Sequence, residues 1–78
     1  MPVIYIFDGI KIMMYFYDHA PPHVHIEHSG STALLAIHNG EPLERSKLST
    51  KILNKAKDWI LENQSELLKL WEEYSPKN

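Results

Sequence analysis

The chain has 78 residues, which is enough for one small domain, and it carries a net charge of -2. It contains no cysteine, so disulfides and thiolate metal sites are excluded, and the composition fits a reducing compartment. The negative charge argues against a generally basic nucleic-acid binder, and no apolar run approaches the roughly 20 residues of a membrane span. The first residues also lack the basic segment of a signal peptide. We therefore expect a single cytoplasmic domain over residues 1–78.

Two apolar segments joined by Asp8-Gly9 predict a first hairpin. Residues 3–7 are β-branched or aromatic, and residues 10–17 are apolar at both sets of alternating positions. An Asp-Gly pair suits a tight hairpin turn because both central residues of the turn need positive φ. Since both faces of the second segment are largely apolar, we expect a central strand or one that a partner covers.

Residues 23–28 are predicted to form a third strand because apolar and polar residues alternate along them. If Val24 and Ile26 face the core, the polar side chains between them share the opposite face of the sheet. Those polar side chains are His23, His25 and Glu27. The alternation therefore predicts one surface that carries two histidines and a carboxylate.

A fourth strand is predicted over residues 32–38, where apolar residues again alternate. Asn39-Gly40 follows it as a turn signal. Pro42 has no N–H to donate to a ladder, so residues 41–44 are predicted to form a loop or a short edge segment. The strands are thus expected over about residues 3–44.

From about residue 49 the apolar spacing becomes helical and continues to about residue 75. Ser49 or Thr50 is suited to cap the helix start. A single helix of this length would measure about 37 Å, so a break near Asn63 is predicted as an alternative to one long helix. The expected fold class is α+β: a small curled antiparallel sheet of about four strands, in the order β-β-β-β-α-α, with one or two C-terminal helices on one face.

The segment from Asp18 to Glu27 concentrates titratable side chains. Three of the five histidines and two carboxylates lie within it, around Pro21-Pro22. A small domain rarely gathers such groups only in order to fold, so the segment predicts a functional site. A structural explanation competes with this one, because Asp18 can accept N–H bonds in a turn and the prolines restrict the backbone.

This segment resembles a known family. The string D-H-x-P-P-H-x-H at residues 18–25, with Met14-Tyr15-Phe16 before it and Trp59 and Trp71 after it, is similar to the small bacterial proteins catalogued as domain of unknown function 4160. The resemblance covers nearly the whole chain. It implies a bacterial, cytoplasmic protein of a toxin–antitoxin-like gene pair, whose partner is a small protein encoded by the adjacent gene. It implies no mechanism.

The first hypothesis for the site is metal binding. Side chains two apart on a strand have Cβ atoms about 7 Å apart, a gap that two imidazoles can bridge at a metal ion. His23 and His25 would be two ligands, with His19 or Glu27 as a third. Neutral imidazole suits a divalent transition metal such as zinc.

The second hypothesis is metal-free cleavage of RNA. Two histidines can act as base and acid on the 2′-hydroxyl and the leaving oxygen. The catalytic candidates are His19, His23 and His25, with Asp18 as the orienting carboxylate. Basic residues between positions 45 and 57 would stabilise the charged phosphorane, although a solvated helix face also explains them. The candidate phosphate-binding residues are Arg45, Lys47, Lys51 and Lys55.

The third hypothesis is binding without catalysis. Tyr15 and Tyr17 lie on one face of the second predicted strand, next to the histidine strand. Aromatic residues are enriched at the centres of protein interfaces. The bound protein would be the product of the adjacent gene or a second copy of this chain. The residue pattern is compatible with an enzyme and with a binding module.

Overall fold

A computed structural model of the protein describes residues 3–15 and 19–74. In this part of the chain, four strands are followed by two helices. The elements are β1 (Val3–Phe7), β2 (Ile10–Met13), β3 (His23–His28), β4 (Ser31–Ala36), α1 (Thr50–Glu62) and α2 (Gln64–Tyr74). The α+β class and the element order are confirmed, and the helical segment consists of two helices.

The sheet is an open meander in which each strand pairs with the next one along the chain. Its order is β1-β2-β3-β4, and every pairing is antiparallel. Asp8 and Gly9 have φ of 50° and 73°, which is the left-handed conformation that the Asp-Gly hairpin predicts. Ser29 and Gly30 repeat this conformation between β3 and β4, with φ of 51° and 83°. Both turns therefore lie at the same end of the sheet.

The outer edge of β4 is covered by the chain that follows it. β4 ends at Ala36, two residues before the predicted end. Leu35 then forms an isolated antiparallel bridge with Pro42, and the Leu43 N–H donates to Leu34 O at 2.9 Å. The residues around Pro42 are thus a short edge segment, which is one of the two forms that the proline predicts.

The core lies between one face of the sheet and the two helices. Alternate residues of β2 and β3 are fully buried there, together with Ala56 and Ile60 of α1 and Leu67 and Trp71 of α2. Trp59 stacks on the ring of Tyr5 in β1, with the ring centroids 5.0 Å apart. Both tryptophans therefore belong to the packing between sheet and helices.

The junction between the helices is anchored to the sheet. Asn63 caps the end of α1, and its N–H donates to Ile60 O. The break between the helices is therefore at the residue near which it is predicted. Gln64 Nε2 then donates to the carbonyl oxygens of Ile37 and His38, at 3.0 Å and 2.9 Å. These bonds join the first residue of α2 to the chain that leaves β4.

The start of α1 is capped by Ser49, one of the two predicted caps. Its hydroxyl accepts the Ile52 N–H at 3.3 Å. Neither helix in the described part of the chain is long and apolar enough to cross a bilayer.

Gly40 lies where the chain after β4 touches α1. Its φ is +72°, and a Cβ added to it would lie 2.7 Å from Lys57 Cγ and 3.3 Å from Lys57 Cβ. We expect Gly40→Ala to lower the free energy of unfolding by about 2–4 kcal/mol, because a left-handed backbone and overpacking both oppose the methyl group. Urea denaturation measures this loss.

Gly30→Ala is the matched control for this experiment. Gly30 has φ of +83°, but no described atom lies within 4 Å of an added Cβ. The substitution should therefore cost only about 1–2 kcal/mol, from the backbone conformation alone. If both variants lose the same free energy of unfolding, the short distance between Lys57 and Gly40 does not add to the cost of the methyl group.

Candidate functional site

The burial of two residues of β3 determines where its polar side chains lie. Val24 and Ile26 are fully buried in the core. Because successive side chains of a strand point to opposite faces, the polar residues of β3 alternate with this buried pair. The predicted alternation is confirmed for His25 and Glu27, which are half-buried between the buried residues. It is wrong for His23, which is buried at the start of β3 because Trp71 of α2 packs against its ring.

His23 is the only buried polar side chain in the part of the chain that the structure describes, at 2 % exposure. Its Nδ1 lies 2.7 Å from Pro21 O. A carbonyl oxygen can only accept, so Nδ1 carries the proton and donates. The ring of His23 also contacts the ring of Trp71 in α2, with the centroids 5.2 Å apart. His23 therefore connects the proline turn, β3 and the helical core.

Three further rings surround His23, and we call the four residues the histidine cluster: Tyr15, His19, His23 and His25. The ring centroids of His19 and His25 lie 5.6 Å and 5.3 Å from that of His23. Tyr15 meets His25 edge to face, at 4.2 Å and 88°. His19 is exposed, whereas Tyr15 and His25 are half-buried. The cluster thus has a buried centre and an accessible outer side.

Glu27, a predicted metal ligand, is paired with a lysine. It stands opposite Lys11 and Thr32 in the sheet, and its Oε1 lies 3.7 Å from Lys11 Nζ. Across residues 3–15 and 19–74, no group of three His, Asp or Glu side chains is arranged to hold a metal ion. The zinc hypothesis for His19, His23, His25 and Glu27 is not supported by this arrangement and stays a prediction.

Two of the predicted site residues, Tyr17 and Asp18, lie outside the described residues. The orienting role predicted for Asp18 and the binding role predicted for Tyr17 therefore stay predictions.

The predicted phosphate-binding residues are not beside the histidine cluster. Arg45 and Lys47 line a cleft next to Gly30, at the turn end of β3. Lys55 bonds to Asp8 Oδ2 at 3.3 Å, in the turn at that same end. His23 is at the other end of β3. The strand from residue 23 to residue 28 is about 17 Å long, at roughly 3.4 Å per residue.

Lys51 lies in the first turn of α1 and is exposed. The structure therefore separates the histidines from the basic residues around the cleft. The RNA-cleavage hypothesis had placed both groups in one catalytic centre.

The sequence does not indicate that Trp71 lies next to the histidines. Trp71 fits the apolar period of α2, which identifies it as a core residue and nothing more. Its contact with His23 joins residues 48 positions apart, and neither residue encodes that proximity locally. A histidine at the start of a strand and a tryptophan on a helix stripe become neighbours only through the packing of the helices.

The region from residue 9 to residue 72 matches the model of a protein family described as Domain of unknown function (DUF4160). The chain belongs to this family. The match confirms the resemblance to this family and extends from β2 into α2, so it includes the entire histidine cluster. No curated protein and no solved structure matches the chain significantly. The family description names no activity, so the function has to be inferred from the geometry.

The burial of His23 predicts a loss of stability when its ring is removed. We expect His23→Ala to lower the free energy of unfolding by about 2–4 kcal/mol, through the lost contact with Trp71 and the lost bond to Pro21. His23→Asn should lose less, because its amide N–H can replace the Nδ1 donor. Urea denaturation followed by circular dichroism gives these differences.

His38→Ala is the matched control, because His38 is exposed. We expect it to change the free energy of unfolding by less than about 0.5 kcal/mol. If His23→Ala were as stable as the native chain, His23 would not be the structural centre of the cluster.

Proposed function

We propose that this protein is one component of a toxin–antitoxin-like two-gene module in bacteria and that it binds the protein encoded by the adjacent gene. The proposed docking surface is the face of the sheet opposite the helices, which we call the open face. The observation that carries the proposal is the combination, on this face, of exposed apolar residues with the half-buried pair of Tyr15 and His25.

Two rows of side chains run across the open face, and the pairing of the strands defines them. The first row is mainly apolar, and its members are Val3, Met13, His25 and Leu34. Val3 is exposed, His25 and Leu34 are half-buried, and Met13 is covered by its own chain. The second row is more polar, and its members are Ile6, Lys11, Glu27 and Thr32. A mainly apolar row beside a row with an ion pair resembles the apolar centre and polar rim of protein interfaces.

The apolar residues of the first strand give this surface its strongest drive to bind. Val3 is 46 % exposed and Ile6 is 59 % exposed. Each lies on β1, at the edge of the sheet, and β1 has no charged residue or proline of the kind that protects edge strands. Covering these side chains with a partner removes apolar area from water, which stabilises a complex.

The histidine cluster supports the proposal through its rigidity. His23 is held by Pro21 and Trp71, and it packs against the more accessible ring of His25. Rings that are already ordered lose little conformational freedom on binding, so more of the contact free energy appears as affinity. In this proposal the histidine cluster keeps the docking surface rigid, and its accessible rings contact the partner.

The test is a binding titration between this chain and the purified product of the adjacent gene. We expect Ile6→Thr and His25→Ala each to weaken the complex at least about tenfold, because each removes contact area from the open face. Isothermal calorimetry gives the affinity, and the melting temperature of each variant verifies that it is folded.

Leu61→Ala is the matched control for that titration. Leu61 is 42 % exposed and lies on α1, which packs on the other face of the sheet. Its affinity should stay within about twofold of the native value. The proposal is wrong if the two proteins do not associate, or if Leu61→Ala weakens the complex as much as Ile6→Thr does. If sedimentation of this chain alone shows a dimer, a second copy of the chain is the occupant of the open face instead.

Cleavage of RNA is a second candidate function, and one observation favours it. Two imidazoles that are more accessible than His23, those of exposed His19 and half-buried His25, have ring centroids 5.6 Å and 5.3 Å from that of His23. Two accessible imidazoles near each other could supply the base and the acid that cleavage of RNA uses.

RNA cleavage is tested with single-stranded RNA and the full chain in the presence of a metal chelator. His19→Gln and His25→Gln should then each abolish cleavage without unfolding the protein. Cleavage that survives both substitutions would come from a contaminant or from another part of the chain.

A further inference from the structure

A second candidate site lies at the turn end of the sheet, away from the histidine cluster. It is a cleft of about 660 Å³. One wall is formed by the turn between β3 and β4 and the first residues of β4, and the other wall by the loop that precedes α1. The lining residues are Gly30, Ser31, Thr32, Arg45, Ser46 and Lys47. The volume is within the range of about 300–1,000 Å³ that is typical of small-ligand sites.

The charged residues that line this cleft are both cations. Three other lysines form ion pairs: Lys11 with Glu27, Lys55 with Asp8 and Lys57 with Glu41. Within the described ranges 3–15 and 19–74, neither cation of the cleft forms an ion pair. The cleft therefore concentrates uncompensated positive charge in a protein whose net charge is -2.

Hydrogen bonds hold the wall that carries the two cations. Ser46 lies between Arg45 and Lys47, and its hydroxyl donates to Thr32 O at 2.8 Å. The same hydroxyl accepts the Leu48 N–H at 3.1 Å. The loop is thus attached to β4 at the residue between the cations, which fixes the backbone on both sides of the cleft.

The opposite wall is open to a ligand. Gly30 has φ of +83°, and no described atom lies within 4 Å of where its Cβ would be. A ligand can therefore approach the backbone at this turn closely. Ser31 and Thr32 follow directly in β4 and also line the cleft.

We infer that this cleft binds the phosphate group of a nucleotide or of an RNA strand. The guanidinium of Arg45 can bind two phosphate oxygens at once, and Lys47 adds a second positive charge. Polar groups of Gly30, Ser31 and Thr32 on the facing wall can donate further hydrogen bonds to the anion. The cleft, at about 660 Å³, has room for the sugar or base attached to the phosphate.

The inference is tested by titrating the full chain with three probes: inorganic phosphate, adenosine monophosphate and a short oligouridylate. We expect the backbone amide resonances of Gly30, Ser31 and Thr32 to shift with the nucleotide and the oligonucleotide. Both should bind at least about tenfold more tightly than inorganic phosphate. A further tenfold gain for the oligonucleotide identifies RNA as the ligand, and equal affinities identify a nucleotide.

Charge-removing variants separate a built site from general electrostatic attraction. Arg45→Gln and Lys47→Gln should each weaken nucleotide binding at least about tenfold. Lys51→Gln makes the same change of charge at an exposed position that does not line the cleft, and its affinity should stay within about twofold.

Two results would overturn the inference. The first is the absence of resonance shifts at millimolar nucleotide and oligonucleotide, and the second is an equal loss of affinity in Lys51→Gln and Arg45→Gln. Both are independent of the partner protein, because the titration contains this chain alone.

Discussion

The burial of Val24 and Ile26 is the constraint from which the arrangement of the protein follows. These two side chains are fully enclosed between the sheet and the helices. A slip of β3 by one residue would carry them to the open face and turn His25 and Glu27 toward the core. The core therefore determines which side chains of β3 are available for binding, and the same register aligns Met13, His25 and Leu34 in one row.

The order and type of the elements could be predicted because the signals for them are local. The Asp8-Gly9 turn, the alternation in β3 and the spacing of apolar residues after Ser49 each lie within a few residues of one another. The end of β4 was less predictable. Its last residues are apolar in a strand-like pattern, but they turn away after Ala36, where the Gly40 N–H bonds to Ala36 O at 2.7 Å. That bond competes with extension of the strand. The Asn39-Gly40 pair signals the turn, but it does not show that the turn begins as early as Ala36.

The candidate site shows the same division between local and distant information. The gathering of His19, His23 and His25 follows from the short distance between them along the chain, and the structure does bring their rings together. The positions of Arg45 and Lys47 depend instead on where the loop before α1 meets the sheet. The bond from Ser46 to Thr32 places that loop at the turn end, 14 residues along the chain from its partner. Charge alone therefore suggested a phosphate-facing patch but not its location.

The contact between Trp71 and His23 also affects the order in which the molecule forms. Each hairpin with a two-residue turn closes a short loop, whereas this contact closes a loop of nearly 50 residues and has a larger entropic barrier. The strands are therefore expected to pair before α2 reaches the histidine. A chain with only its N-terminal half synthesised lacks the tryptophan that packs against His23. The histidine cluster therefore reaches its final packing only after α2 has been translated.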